Sequence, residues 1–465
     1  PREKATYTIP YDLTGLDGEL FVNVYFTLSE DKPWAKKGYI QMEEQLPVRA
    51  ATRTLPAISA ESLVNAHGSK VTMVSNGKSV KELKSVSSPL TVEGKSFKAV
   101  FDNTNGQLSQ LEYDGKAMIE PGKGLRLDAF RAFVNNDNWV AGNWYTNGLH
   151  NLQPSVTSSD AYINAAGNAV ISFNVRYQAP NAARLATGHS AGKQVINELT
   201  DTPSDFAFDV NEIYTVYPDG SVELEAEIES TNPSLVLPRL GFMLNVPEEY
   251  SRFTYYGRGP IENYNDRREQ NIGIYSSSVA DQFVNYTKPQ NMANHEEVRW
   301  AALTTPDRSA GLVAMGIDPL SVTALPYDEA AFVAAAHPYE LPAPGATRLH
   351  LDLGQTGLGG TSCGQAPPTT DHRVMASAHR MGLLIRPVSA LEDAESQTKV
   401  RLDGDQPLGI FRDYLGNVTI DAPAVDGKSP VVMMRVNGAK KATEYTDTLR
   451  MKQGGSVEAW LRHNP

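Results

Sequence analysis

The chain's densest concentration of polar, aromatic and turn-forming residues runs from Tyr255 to Arg267, reading Tyr-Tyr-Gly-Arg-Gly-Pro-Ile-Glu-Asn-Tyr-Asn-Asp-Arg. Gly257, Gly259 and Pro260 predict a rigid bend rather than a helix. Arg258, Glu262, Asn263, Tyr264, Asp266 and Arg267 surround that bend. Planar donors, carboxylates and aromatic rings are the groups a sugar requires, because hydroxyls take paired hydrogen bonds and C–H faces stack on rings. The same composition also builds a buried polar network that locks a loop. Both readings stand at this point.

Bond-breaking chemistry is harder to find. Hydrolysis of a glycosidic bond needs two carboxyl groups facing each other across it, about 5–5.5 Å apart in retaining enzymes. Asn197-Glu198 and Asn211-Glu212 pair an amide with a carboxylate, but their surroundings read as strand edges or loops. The nine histidines form no His-x-x-x-His pair, and one cysteine cannot build a thiolate site. That cysteine, Cys363, reads as a small buried apolar residue. Gly357-Leu358-Gly359-Gly360 hints at a phosphate loop, yet Ser362 stands where a third glycine is needed and no helical pattern follows. No catalytic residue, no metal site and no cofactor is expected within the chain.

Composition narrows the partners. Lys+Arg 42 against Asp+Glu 54 gives a net charge of −12, and no basic run interrupts it. That argues against nucleic acid as a partner. No apolar run reaches the ~18 residues of a membrane span, so no membrane partner is expected. An acidic surface suits a protein that meets neutral substrates. Hydrophobic residues make up 41% of the chain, enough for large cores and too many for disorder. Pro1-Arg2-Glu3-Lys4 does not read as a secretory signal.

The elements that must carry these residues are strands. Residues 19–28 put Leu20, Val22, Val24, Phe26 and Leu28 on one face, and 39–48 read as a second strand. A partial immunoglobulin-like sandwich is the natural reading, with an orphaned hydrophobic edge near 19–28. Residues 49–60 read as a linker. From 61 to 390 short β runs alternate with turn dipeptides, among them Asn76-Gly77, Asn105-Gly106, Asp114-Gly115 and Asp219-Gly220. Residues 221–230 alternate, with Glu223, Glu225, Glu227 and Glu229 on a solvated face. Residues 330–336 fit a short helix or a strand. After Pro387 the chain turns polar and then resumes short strands near 418–420 and 431–436.

Tyr-Gly-Arg-Gly-Pro-x-Glu-Asn-Tyr-x-Asp-Arg resembles the signature of the C-terminal "small chain" domain of family 2 glycoside hydrolases, the β-galactosidase type. Other stretches agree. Arg131-Ala132-Phe133-Val134-Asn135-Asn136-Asp137 is similar to Arg-Ala-Pro-x-Asp-Asn-Asp, with Phe133 for Pro and Asn135 for Asp. Residues 288–300 resemble Pro-Gln-Glu-Asn-Gly-Asn-x-x-x-Val-Arg-Trp, with Asn291, Met292 and Ala293 in place of Glu-Asn-Gly. Residues 335–341 resemble Ala-x-His-x-x-Glu-Leu. Residues 352–364 resemble a loop that reaches the active site in family members; Cys363 and Gly364 stand where some carry a stacking Trp. Residues 97–111 look like the domain's opening hairpin.

The resemblance implies an all-β chain in three parts. These are a partial immunoglobulin-like segment (1–57), a large antiparallel supersandwich related to galactose mutarotases (58–388), and a small accessory β-sandwich (389–465). It implies that the bond-breaking acids belong to a (β/α)₈ barrel absent from these residues. The chain is then a C-terminal, non-catalytic fragment of a β-galactosidase-like enzyme, inactive alone, whose supersandwich walls one side of the substrate pocket. Its partners would be a galactoside or other glycan, the missing barrel and, possible on the same reading, a second copy in a homo-oligomer. Arg131, Asn136, Asp137, His295, Cys363 and Gly364 are the expected pocket-facing residues. Arg258, Glu262, Asn263 and Asp266 are expected to brace those loops. The alternatives are a stand-alone carbohydrate-binding or mutarotase-like protein, using His295 with Glu296 or Glu297, and a purely structural oligomerisation platform.

Overall fold

A computed structural model of the protein describes residues 4–8, 10–16, 18–49, 57–86, 89–185, 196–199, 203–359, 367–390, 393–399, 401–402, 408–412, 417–422, 424–451 and 454–462. Two compact units divide the chain. One comprises Pro56–Gln406 with Ala424–Lys428, the other Pro1–Leu55, Pro407–Pro423 and Ser429–Pro465.

Two antiparallel sheets make up most of the large unit. The smaller orders Lys116–Ala117, Gln107–Tyr113, Phe97–Asp102, Leu90–Glu93, Thr72–Ser75 and Lys78–Val80. Its tight turns are the ones the dipeptides predict. Asn76-Gly77 and Asp114-Gly115 both have positive φ at their two central residues, the geometry that matches strand twist in a two-residue hairpin. The larger sheet has thirteen strands, and Arg126–Asp128, Arg239–Val246, Thr347–Gln355, Ala310–Leu325 and His379–Ser389 are successive neighbours in it. Val222–Ser230 follows and carries Glu225, Glu227 and Glu229 exposed, whereas Glu223 is buried and accepts from Tyr217 Oη at 2.9 Å.

Alternation decides what lies between the sheets. Phe101, Leu108 and Leu111 from one sheet meet Phe173, Tyr214 and Leu224 from the other in one buried cluster. Phe101 and Tyr214 pack edge to face with centroids 5.2 Å apart. On the larger sheet Leu240, Phe242, Leu349 and Leu351 face this core. The residues between them, Arg239, Arg348, His350 and Asp352, therefore take the opposite face. That second face is also largely covered: Arg239, His350 and Asp352 are buried. The 16-residue strand Ala310–Leu325 pairs with His379–Ser389 through its first half and with Thr347–Gln355 through its second.

Three segments take more structure than their composition signals. Residues 57–58 form a strand, and Ala60–His67 is a helix capped by Ser59, whose side chain accepts from Ser62 N, and closed by left-handed Gly68. The ambiguous segment near 330 resolves as the helix Glu329–Ala334, capped by Asp328 accepting from Ala331 N at 2.7 Å. Asp393 caps the short helix Ala394–Gln397 in what reads as a linker. Residues 401–402 pair in parallel with 57–58. Ala57 N donates to Ala424 O and Asp426 N to Ala57 O at 2.9 Å.

In the other unit Leu20–Thr27 pairs with Ile40–Arg49 alone among the described residues. Tyr25, Phe26, Trp34, Tyr39, Ile40 and Met42 are exposed on this hairpin. Two three-stranded sheets make up the rest, and Ile420, Val432 and Met434 form their buried cluster with Leu449, Val457 and Leu461.

Candidate functional site

Four of the residues singled out in the sequence converge on one loop root. Arg131 has no exposed surface, and its guanidinium forks onto Asp137: Nη2 to Oδ1 at 2.7 Å and Nε to Oδ2 at 3.2 Å. A third donor, Nη1, reaches the Thr356 and Pro238 carbonyls, and the guanidinium lies 5.6 Å from the Trp144 ring centroid. Asp137 also accepts from Val134 N at 3.0 Å, which closes the turn Asn135–Trp139. That turn presents half-buried Asn136, whose amide donates to Leu358 O at 3.0 Å. From the other side Asp266 accepts from Leu358 N at 3.1 Å and Gly359 N at 2.8 Å. A Cβ on Gly357 would lie 2.5 Å from the Asp266 carboxyl, so only glycine permits this approach. Asn136 and Asp266 thus clamp residues 358–359, the root of the loop that leads to Cys363 and Gly364. Those two lie outside the described residues. Arg131 and Asp137 work from behind: they fix the clamp and do not reach its surface.

The Tyr255–Arg267 stretch is read better by close approach than by bending. Gly257 and Gly259 belong to the strand Arg252–Gly259, and the bend begins at Pro260, after a cis Gly259–Pro260 bond. A Cβ on Gly257 would sit 2.7 Å from Val298 Cγ2 and one on Gly259 2.2 Å from Tyr255 Oη, so both glycines admit a neighbour. Arg258 donates to Glu297 at 3.0 Å and to the carbonyls of Arg268 and Gln270. Burial pushes the Glu297 carboxyl up, but Arg258, Arg299 and Arg268 outweigh it and hold it below the usual range. Glu262 accepts from Tyr286 Oη and, at 2.7 Å, from Ala293 N. Asn263 donates to two carbonyls of its own turn and accepts from Glu296 N at 2.7 Å. Ala293 holds φ +60° where the family pattern has Gly. The turn therefore survives the substitution, with the Glu262 hydrogen bond holding a conformation that disfavours a Cβ.

His295 sits in the core rather than facing a pocket. It is 1% exposed and stacks on Tyr255 at 4.2 Å. Its Nδ1 lies 3.0 Å from Tyr255 Oη, and its Nε2 lies 2.7 Å from Gln282 Oε1. Burial lowers its pKa to about 4, so the ring is neutral. The mutarotase-type pair of His295 with Glu296 or Glu297 fails on this geometry: the ring is buried and both its nitrogens are engaged. Glu296 is itself buried. Its carboxyl is pushed up to about 7 by burial, against hydrogen bonds from Ser321 and Asn294 at 2.7 Å.

A polar seam that the sequence reading missed runs from this region across the covered face of the larger sheet. Gln355 donates to Asn294 Oδ1 at 2.8 Å and accepts from Asn291 at 3.2 Å; Asn291 also donates to Tyr264 Oη at 3.1 Å. Arg239 Nε lies 3.3 Å from Asp352, whose carboxyl burial raises to about 6. His350 sits between Asp128, 3.2 Å away, and Glu329, 2.9 Å away. Burial and Arg239 oppose charge on that imidazole, yet the carboxylates win and raise its pKa. The signal was present in the period-2 alternation of Arg348, His350 and Asp352 with Leu349, Leu351 and Leu353. No group of three or more His, Cys, Asp or Glu among the described residues could hold a metal ion.

Comparison with known proteins places these features. A family profile described as "Beta galactosidase small chain" matches residues 93–385, and one described as "Beta-galactosidase, domain 4" matches residues 1–49. A beta-galactosidase of Priestia megaterium (strain DSM 319 / IMG 1521) is 26% identical over 390 residues, covering 81% of this chain and 32% of that relative. A beta-galactosidase of Lactobacillus delbrueckii subsp. bulgaricus is 26% identical over 394 residues, covering 83% of this chain and 34% of the relative. The chain spans about a third of the length of these curated relatives. Among solved structures, a galactose 1-epimerase from Lactobacillus acidophilus NCFM is 10% identical, with a TM-score of 0.33, covering 69% of this chain and 99% of the other.

Proposed function

The chain belongs to the beta galactosidase small chain family, and from that premise we propose that it is the non-catalytic C-terminal part of a family 2, β-galactosidase-type glycoside hydrolase. In this reading the large unit walls one side of a glycan pocket. The two carboxyls that break the bond stand on a catalytic barrel outside these residues. The observation that carries the proposal is the clamp: Asn136 and Asp266 grip residues 358–359 from two sides, and the buried Arg131–Asp137 pair fixes the Asn136 turn. A loop whose root is held from two sides by Asn136 and Asp266 is suited to bringing its tip to a substrate in a reproducible place.

Pre-positioning of this kind acts on binding and on leaving-group choice rather than on proton transfer. The test has two arms. The purified chain is assayed with nitrophenyl-galactoside, and so is a longer polypeptide in which it follows a catalytic barrel. No turnover is expected from the chain alone. In the longer form Asp266→Asn is expected to raise KM more than it lowers kcat, and to change the ranking of leaving groups. Turnover by the isolated chain, free of contaminating enzyme, overturns the proposal.

A further inference from the structure

The large unit carries a cleft of about 940 Å³ whose lining shares no residue with the clamp. One side is formed by the hairpin turn at 104–107 and the strand Arg126–Asp128, the facing side by the helix Glu329–Ala334 with Arg348, and residues 149–154 complete it.

Its charged groups lie close together. Glu329 is 2.9 Å from His350 Nε2 and 3.1 Å from Arg348 Nε, and Asp128 is 3.2 Å from His350 Nδ1; the last two contacts are close approaches without hydrogen-bond alignment. Each carboxylate keeps acceptor capacity beyond these contacts. Arg126 differs from its neighbours. It makes no hydrogen bond and no ion pair within 4 Å among the described residues; burial, and then Arg348, lower its pKa against the pull of Asp128 and Glu329. The Asp128 and Glu329 carboxylates attract this half-buried guanidinium from farther off, which leaves its donors open to a ligand. His150 lines the same cleft; its Nδ1 is buried without a hydrogen bond, and its ring lies 4.7 Å from Tyr145. Leu152, Pro154, Val333 and Ala334 supply apolar surface between the polar groups.

We propose that this cleft is a saccharide-binding site, distinct from the clamp, that takes a neutral di- or oligosaccharide. Charge excludes the simpler alternatives. Arg126 and Arg348 line the cleft together with Asp128, Asp328 and Glu329, so groups of both signs face it, and a polyanion or polycation would meet like charge. A neutral polyol uses both kinds of group at once: hydroxyls accept from Arg126, donate to Asp128 and Glu329, and lay C–H faces on Val333 and Leu152. The volume lies near the top of the range for small-molecule sites, roughly 300–1,000 Å³, and a single pyranose would leave much of it to water. Glu329 is engaged by His350 Nε2 at 2.9 Å and Arg348 Nε at 3.1 Å, so the site is read as one that binds.

The test is calorimetric titration of the full chain with lactose, maltose and cellobiose, and with oligogalacturonate as an anionic comparator. At least one neutral sugar is expected to saturate in the millimolar range. Arg126→Gln, at a half-buried position with no hydrogen bond to lose, is expected to weaken it roughly tenfold. Ala334→Trp, at the exposed end of the lining helix, is expected to abolish it by filling the cleft. The proposal is overturned if no neutral sugar saturates, if only the anionic comparator binds, or if binding survives both variants. It is equally overturned if the clamp variant Asp266→Asn weakens binding as much as Arg126→Gln does. The readout needs no turnover, so its failure is separate from failure of the hydrolase reading.

Discussion

Glu212 offers a measurement in which the sign and size of an electrostatic effect both follow from the structure. It is fully buried in the strand Ala207–Val216, with Oε1 accepting from Tyr177 Oη at 2.8 Å and Oε2 from Tyr214 Oη at 2.9 Å. No cation lies within 4 Å among the described residues. Burial therefore dominates, and although the two tyrosines pull the other way, the carboxyl is pushed up from 4.5 to about 7. The native state then binds this proton more tightly than the unfolded chain does. The resulting stabilisation is fully present below about pH 4.5 and is lost as pH rises through about 7. At about 1.4 kcal/mol per pH unit, the native state gives up about 3 kcal/mol across that window. Glu212→Gln keeps an acceptor for the tyrosines and removes the titration. Urea unfolding of both proteins, followed by fluorescence, measures the difference. The variant is expected to gain on the natural protein by roughly 2–3 kcal/mol between about pH 5 and about pH 8. Glu296 and Asp352 titrate in both proteins and cancel. A difference that does not change with pH refutes the reasoning.

Asp137→Ala leaves the Arg131 guanidinium buried and unpaired, and is expected to destabilise by about 3–5 kcal/mol in the same unfolding assay; the double variant Arg131→Met/Asp137→Leu is expected to recover part of that loss. Ala293→Gly relieves the φ +60° strain and is expected to raise stability by roughly 0.5–1 kcal/mol, seen as a higher thermal midpoint.

Strand periodicity and turn dipeptides were legible because they are local. Val222–Ser230 and the hairpins at 76–77 and 114–115 follow directly from alternation and from residues that tolerate positive φ. The clamp was half legible. Motif resemblance picked out Asn136 and Asp266, but their meeting at Leu358 and Gly359 joins residues more than ninety positions apart, which no window spans. His295 misled for a physical reason: a histidine beside two glutamates has the composition of an acid–base site, and only burial shows it to be a neutral core residue. Gly257 and Gly259 suggested a turn, whereas the structure uses them for close packing within a strand. The polar seam went unread because its members meet from three strands, a helix and loops far apart in the chain, many of them beside apolar neighbours.

Because the division into units assigns Ala424–Lys428 to the large one, the backbone passes between the two at Leu55–Pro56, Gln406–Pro407, Pro423–Ala424 and Lys428–Ser429. One protease nick at any of these joints leaves a covalent tether through the others. Subcloning the large portion as 58–388 would also discard the rungs that 401–402 and 424–426 supply to Ala57 and Ile58, so an excised version should extend from 56 through 428.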